Sequence, residues 1–170
     1  MQDAMWLIIN NLTDRARLHD ASKFSDDEIE GYAKFEMMPE GLEYGSPEHE
    51  AVMKAILTDN DCFKNHVAAN DHHPEHYADV QKMPFTAIQE MVCDWAGAHL
   101  SYGTTGSWQK SVVENTEKYD FSDGQIWLIY EVAKFLMNHI EVLRENVAED
   151  DPKLKWSPSD AGDAQGGSVS

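Results

Sequence analysis

The sequence predicts an all-α protein of about six helices followed by a disordered C-terminal tail. Apolar residues recur at spacings of three and four in most segments, serines that can cap helices precede several of them, and no segment shows a strong strand pattern. Apolar residues make up 42% of the 170 residues and charged residues 26%, which is usual for one globular domain. We therefore expect a helical domain over residues 1–148 and a flexible acidic, Gly/Ser-rich tail over residues 149–170.

Two helices are predicted in the first forty residues. The first covers residues 3–19 and carries a stripe at spacings of three and four: Trp6, Ile9, Leu12, Ala16 and His19. The run from Ser25 to Glu28 reads as a capping box, so the second helix should begin at Asp26 and continue towards Phe35. Two glycines and two prolines in residues 39–47 then predict a loop.

The remainder of the domain should hold four further helices. The third is predicted over residues 47–70, with a break around Pro74, and the fourth over residues 84–100. A loop at 103–106 separates these from a short helix that Ser107 caps and that ends near Lys118. Ser122 should cap a long final helix whose apolar positions repeat at helical spacing: Ile126, Ile129, Ala133, Leu136, Ile140 and Leu143.

The charge balance excludes several classes of partner. With 13 Lys and Arg against 31 Asp and Glu, the formal net charge is −18, so a broad basic face for nucleic acids or anionic membranes is not expected. No apolar run is long enough to span a membrane, and no signal-peptide pattern is seen. Cys62 and Cys93 belong to no CxxC motif and are expected to be reduced thiols in a cytoplasm. A small anionic substrate is still allowed, because a metal and one or two lysines can reverse the field locally.

Histidines and aspartates form a pattern that is typical of a metal site. His19 and Asp20 form a doublet at the end of the first helix, His66 precedes a His72–His73 doublet, and Asp94 lies among apolar neighbours. Imidazole and carboxylate ligands together suit Zn, Mn, Fe, Co or Ni, and one or two such ions per chain are expected. Each feature also has an ordinary explanation. His-Asp pairs are common, the histidine cluster can be a polar surface segment, and an aspartate at the edge of an apolar stripe can reach solvent.

Three charged residues beside these positions are candidates for catalysis. Lys23 follows the His-Asp doublet by three residues, where its ammonium group can meet a phosphate or simply be solvated. Glu90 lies one helical turn before Asp94 and can accept a hydrogen bond or serve as a base. Glu75, close to the His-His doublet, is a second candidate for relaying a proton.

The segments HDASKFSDDE, NDHHPEH and EMVCDW carry a resemblance to a known superfamily. The first resembles the HD-x-x-K start of the HD-domain superfamily of metal-dependent phosphohydrolases, and all three are similar to an uncharacterised HD-like family of phage and bacterial genomes. The resemblance covers about residues 5–100. It implies an all-helical HD-like domain whose metal ligands come from His19, Asp20, His66, His72, His73 and Asp94. The superfamily's further metal histidine before the doublet is absent here, since residues 1–18 contain no histidine.

The resemblance implies a cytoplasmic phosphohydrolase, in a bacterial or phage-infected cell, that acts on a nucleotide or another small phosphoester through metal-activated water. A di-iron oxygenase on the same fold, or a non-catalytic interaction protein stabilised by its metal, are the alternatives. The sequence leaves open which metal is bound, what the substrate is and whether the chain forms a homo-oligomer.

Overall fold

The computed structural model describes residues 2–36, 46–58, 61–102, 107–140 and 143. Every regular element in these ranges is a helix, which confirms the predicted all-α class. The described part of the chain has seven α-helices: α1 (Gln2–Leu18), α2 (Ile29–Glu36), α3 (Pro47–Thr58), α4 (Cys62–Ala69), α5 (Phe85–Tyr102), α6 (Trp108–Thr116) and α7 (Asp123–His139). Three 3₁₀ turns connect them: Ala21–Phe24, Pro74–His76 and Val80–Lys82. The predicted tail over 149–170, the loop at 103–106 and most of the loop at 39–47 lie outside the described residues.

Three helix boundaries differ from the sequence prediction. Helix α7 ends at His139, because Ile140 has an extended backbone, so Ile140 and Leu143 of the predicted stripe lie beyond the helix. The helix predicted over residues 47–70 is divided, because Asp61 has a φ of 50° and this left-handed backbone cannot continue a right-handed helix. The second helix begins at Ile29 instead of Asp26. The predicted capping box is wrong, since the Glu28 carboxylate does not cap the helix but contacts His66 in the interior of the protein.

The hydrophobic core lies between α5, α6 and α7. Trp108 at the start of α6 is fully buried, and its indole N–H donates to the carbonyl of Ala133 on α7 at 3.1 Å. The predicted stripe of α7 contributes the buried Ile129 and Ala133. Both predicted serine caps are present, with Ser107 at α6 and a capping box between Ser122 and Gln125 at α7. This three-helix core fixes the orientation of α5, which carries two acidic residues of the candidate site.

Helix α1 contacts α5, and Arg15 in its second half pairs with Glu90. Its first half leaves large apolar side chains exposed, including Trp6 at 60% and Leu7 at 72%. The second half lies against α5 and ends at the His-Asp doublet. No helix within the described ranges combines the length and the apolar character that crossing a membrane requires.

Candidate metal centre

The His-Asp doublet lies at the point where α1 ends. The helix stops at Leu18, and Asp20 adopts a left-handed backbone with a φ of 55° before the 3₁₀ turn Ala21–Phe24. Adjacent side chains on a regular helix point about 100° apart and cannot share a ligand. The left-handed turn removes that restriction, and His19 Nε2 lies 3.4 Å from Asp20 Oδ2.

Asp20 is the centre of the cluster, and each of its carboxylate oxygens meets a different group. Its Oδ1 atom lies 3.2 Å from His66 Nε2 and 3.4 Å from His72 Nε2. On the other side, Oδ2 contacts His19 and the ammonium group of Lys23. Asp94 Oδ1 is 3.4 Å from His19 Nε2, so this carboxylate belongs to the Oδ2 side.

The Oδ1 side has the composition and the size of a metal site. Asp20, His66, His72 and His73 each offer one ligand atom, and these atoms lie within 4.8 Å of one another. Three buried atoms of this set form no hydrogen bond in the described structure: Asp20 Oδ1, His72 Nε2 and His73 Nε2. Buried polar atoms without partners are rare and destabilising in native proteins. One divalent cation among them would satisfy all three at once.

Two glutamates, the buried Glu28 and the half-buried Glu90, orient three of the histidines. Glu28, which is 2% exposed, lies 2.9 Å from His66 Nδ1. Glu90 Oε1 lies 2.8 Å from His19 Nδ1 and 3.3 Å from His72 Nδ1. Because a carboxylate can only accept a hydrogen bond, each contact favours a proton on Nδ1 and leaves Nε2 as the ligand atom. Carboxylates commonly orient metal-bound histidines in this way.

A polar network also holds Glu28 Oε2, the oxygen that faces His66. The Ser22 hydroxyl donates to Glu28 Oε2 at 3.0 Å, and the Asn70 amide donates to Ser22 Oγ at 2.6 Å. Asn70 ends α4, and its amide also donates to the carbonyl of His66 at 2.8 Å. These hydrogen bonds link Ser22 to the C-terminal end of α4, in addition to the contact between Asp20 and His66.

Arg15 lies in the last turn of α1, four residues before His19. Its Nε atom is 2.6 Å from Glu90 Oε2, and its terminal nitrogens contact the carboxylate of Asp71. Arg15 thus neutralises Glu90, whose other oxygen faces His19 and His72. Although His19, His72 and Glu90 could also form a metal-binding group, the guanidinium already pairs with that glutamate. We therefore assign Glu90 to orienting the histidines.

The histidines on the two sides of Asp20 have pKa values shifted in opposite directions. Burial, reinforced by His73 and His19, lowers the pKa of His72 to about 4, and burial with His66 also lowers the pKa of His73. Both imidazoles are consequently neutral near pH 7, which is the state that binds metals. The interaction with Asp94 is the main cause that raises the pKa of His19 to about 9, against the opposing effect of burial. Burial would raise the pKa of Asp20, but His66 and Lys23 outweigh it and the pKa falls well below its usual range.

The structure brings all six predicted metal ligands together. The three predicted catalytic residues each have different partners. Lys23 contacts Asp20 Oδ2, and its ammonium group lies 4.9 Å from the ring centroid of Tyr32. Glu90 acts as a hydrogen-bond acceptor for two histidines, which is one of its two predicted roles. Glu75 belongs to none of the metal-binding groups found among the described residues, and it accepts a hydrogen bond from the Tyr119 hydroxyl. Its role in proton relay stays a prediction.

Sequence reasoning missed two residues of the site. Glu28 was assigned to a helix cap, although its distance of eight residues from Asp20 and its place beside an apolar helix are compatible with burial. Arg15 precedes His19 by four residues, a helical spacing that brings the two side chains to one face and is the only local signal for it. No local signal indicates the contact of Glu28 with His66.

Comparison with known families assigns the chain to a group without an established activity. Residues 1–143 match the family described as a family of unknown function, DUF5662. The chain belongs to this family. The match includes every residue of the candidate metal centre, so the site lies within the family's domain. No curated protein and no solved structure matches the chain.

Proposed function

We propose that this protein is a metal-dependent phosphohydrolase that acts on a nucleotide or another small phosphoester. The observation that carries the proposal is the set of three buried, unpartnered ligand atoms on Asp20, His72 and His73, which faces a fourth ligand atom on His66. A histidine-rich set with one carboxylate suits Zn, Mn, Fe, Co or Ni. The resemblance of the segments that carry these residues to HD-domain phosphohydrolases favours the reaction.

A single ion on the Oδ1 side of Asp20 is the primary site in this proposal. Burial lowers the pKa of two of its ligands, His72 and His73, so no proton on either imidazole opposes metal binding near pH 7. On the Oδ2 side, Lys23 and the proton of His19 already balance the charge of Asp20 and Asp94. A second ion would have to displace that proton and compete with Lys23.

The residues around the primary site would each have a separate role in the reaction. The bound ion would act as a Lewis acid towards a phosphoryl oxygen and lower the pKa of a coordinated water. Lys23, next to Asp20, would neutralise a non-bridging oxygen of the phosphate. The protonated His19 would donate its Nε2 proton to the leaving oxygen, with Asp94 holding the imidazolium in place. Glu28 and Glu90 would keep the histidine rings oriented.

Phosphate release from a panel of substrates tests this proposal. The purified protein, loaded separately with Mn²⁺, Ni²⁺, Co²⁺ and Zn²⁺, should release phosphate from nucleoside phosphates or simple phosphomonoesters. Asp20→Asn should abolish this release, whereas Asp26→Asn, at an exposed position of the same segment, should not. Asparagine is chosen because it tolerates the left-handed backbone of Asp20 better than alanine does. Copurifying iron with oxygen uptake, and no phosphate release under any metal, would replace the proposal with the oxygenase alternative.

A further inference from the structure

A cavity of about 840 Å³ lies beside the metal centre, between α1, α5 and α7. Four of its lining residues belong to the candidate site: Arg15, His19, Glu90 and Asp94. The other walls are largely hydrocarbon, with Leu12 from α1 and a row of apolar side chains from α7 that includes Leu128, Val132 and Leu136. The volume is in the range of pockets that enclose small organic molecules.

The charge distribution around this cavity favours a ligand with a single anionic group. Among its lining residues, all of which are described, Arg15 is the only lysine or arginine, and it belongs to the site. Glu131 is the acidic residue on the α7 wall, and it pairs with Lys134 at 3.1 Å. A polyphosphate extending into this space would meet apolar walls and a carboxylate without further cations. An uncharged body would instead replace water on those walls favourably.

On these grounds we infer that the metal centre takes a phosphomonoester with a neutral, mainly apolar body, whose phosphate lies at His19 and Asp20 and whose body fills this cavity. The inference rests on the proposed phosphohydrolase function and narrows its substrate class.

Gly97 offers a way to close the cavity without disturbing the core. It lines the cavity from α5, and a Cβ atom placed on it would have no neighbour within 4 Å. A leucine at this position therefore meets open space and would occupy the volume intended for the ligand. Gly124 on α7 has the same open surroundings but does not line the cavity, so Gly124→Leu is a matched control. Ala16→Leu, on the α1 wall at an exposed position, is a second blocking variant should Gly97→Leu fail to fold.

The experiment measures how n-alkylphosphonates from methyl to octyl bind to the Mn²⁺-loaded protein by calorimetry. These compounds resist hydrolysis, so binding is independent of turnover. We expect the Kd to fall about two- to fourfold for each added methylene, as burial of hydrocarbon requires. Gly97→Leu or Ala16→Leu should remove this dependence and leave methylphosphonate binding within about twofold of the unaltered protein, whereas Gly124→Leu should retain it.

The outcomes separate this inference from the proposed function. Phosphate release from short phosphomonoesters, together with a Kd that does not change with alkyl length, would overturn the inference alone. A Kd that falls with alkyl length, without hydrolysis of the matching alkyl phosphates, would support the cavity and overturn the phosphohydrolase proposal. Tighter binding of a nucleoside monophosphate than of octylphosphonate would also contradict the apolar body.

Discussion

The carboxylate of Glu28 lies 2.9 Å from Nδ1 of His66, and each residue is only 2% exposed. A buried glutamate is costly unless it is paired or hydrogen-bonded. Here it receives a hydrogen bond from Ser22 and faces an imidazole whose other nitrogen points at Asp20. The Glu28–His66 pair therefore connects the hydrogen bonds of Ser22 and Asn70 to Asp20 in the candidate metal site.

Glu28→Gln should weaken metal binding without unfolding the protein. Glutamine has nearly the same shape but lacks the charge that keeps the His66 proton on Nδ1, and changes of this kind typically cost about 10- to 100-fold in metal affinity. Competition of the loaded protein with a chelator of known affinity measures the change. Glu30→Gln, at an exposed position of α2, should leave the affinity unchanged. Unchanged affinity in Glu28→Gln would show that His66 does not need this partner.

Metal removal should destabilise the native protein, and Asp20→Asn should imitate that removal. A metal at 100 times its Kd adds about 2.7 kcal/mol to the free energy of unfolding, because it binds only the folded chain. Thermal unfolding with and without saturating Mn²⁺ or Zn²⁺ should therefore show a higher Tm for the unaltered protein with metal. The Tm of Asp20→Asn should be nearly independent of metal, and elemental analysis should find that this variant retains none after dialysis. Equal metal-induced shifts in both proteins would exclude the Oδ1 side of Asp20 as the site.

The sequence predicted the all-α fold class because the spacing that defines a helix is local. Helical spacing of apolar residues is a local property, so α5 and α7 could be located from the positions of Ala87, Met91, Ile129 and Ala133. The break within residues 47–70 has a local signal that the apolar spacing outweighed, because residues 58–61 are Thr-Asp-Asn-Asp and aspartate tolerates the left-handed backbone found at Asp61.

The missed residues are those whose roles depend on tertiary contacts. Glu28 fits a capping box by local sequence, yet its carboxylate is buried against α4, 38 residues further along the chain. Arg15 looks like an ordinary helix-surface arginine, but it pairs with Asp71 and Glu90 from two other segments. Sequence spacing could assign candidate ligands to helices, but it could not indicate which carboxylates accept hydrogen bonds from those histidines.

The metal-free protein should lose stability as the pH falls from about 6.5 towards 4. The folded state holds the pKa of His72 at about 4 by burial, whereas the unfolded chain has an ordinary value near 6.5. Between these values the unfolded state binds more protons, so the free energy of unfolding decreases as the pH decreases. Urea unfolding of metal-free protein at several pH values measures the slope. His72→Gln should reduce that slope, and His139→Gln, at an exposed position of α7, should not; an unchanged slope in His72→Gln would contradict a buried neutral imidazole.

Metal titration should show a first equivalent that binds tightly and a weaker second one that releases a proton. At pH 7.5 His19 is mostly protonated, since its pKa is raised to about 9, so an ion bound through His19 must displace about one proton. Calorimetry in two buffers with different ionisation enthalpies counts the protons released at each step. His19→Gln should remove the proton release of the second step and preserve the first. A tight first step that is lost in His19→Gln would instead place the primary ion on the Oδ2 side.

Lys23→Met should lower kcat/KM for a phosphomonoester by roughly 100-fold, the usual cost of removing one group that stabilises developing negative charge. The ammonium group contacts Asp20 but is not itself a metal ligand, so metal content should stay near that of the unaltered protein. Methionine keeps most of the length of the side chain that packs over Tyr32, which limits the structural disturbance. Lys64→Met, where an exposed lysine lies 4.0 Å from Asp61, is the matched control and should keep full activity. If both variants retain activity, Lys23 does not contact the phosphate; if Lys23→Met loses its metal, the lysine instead supports the fold of the site.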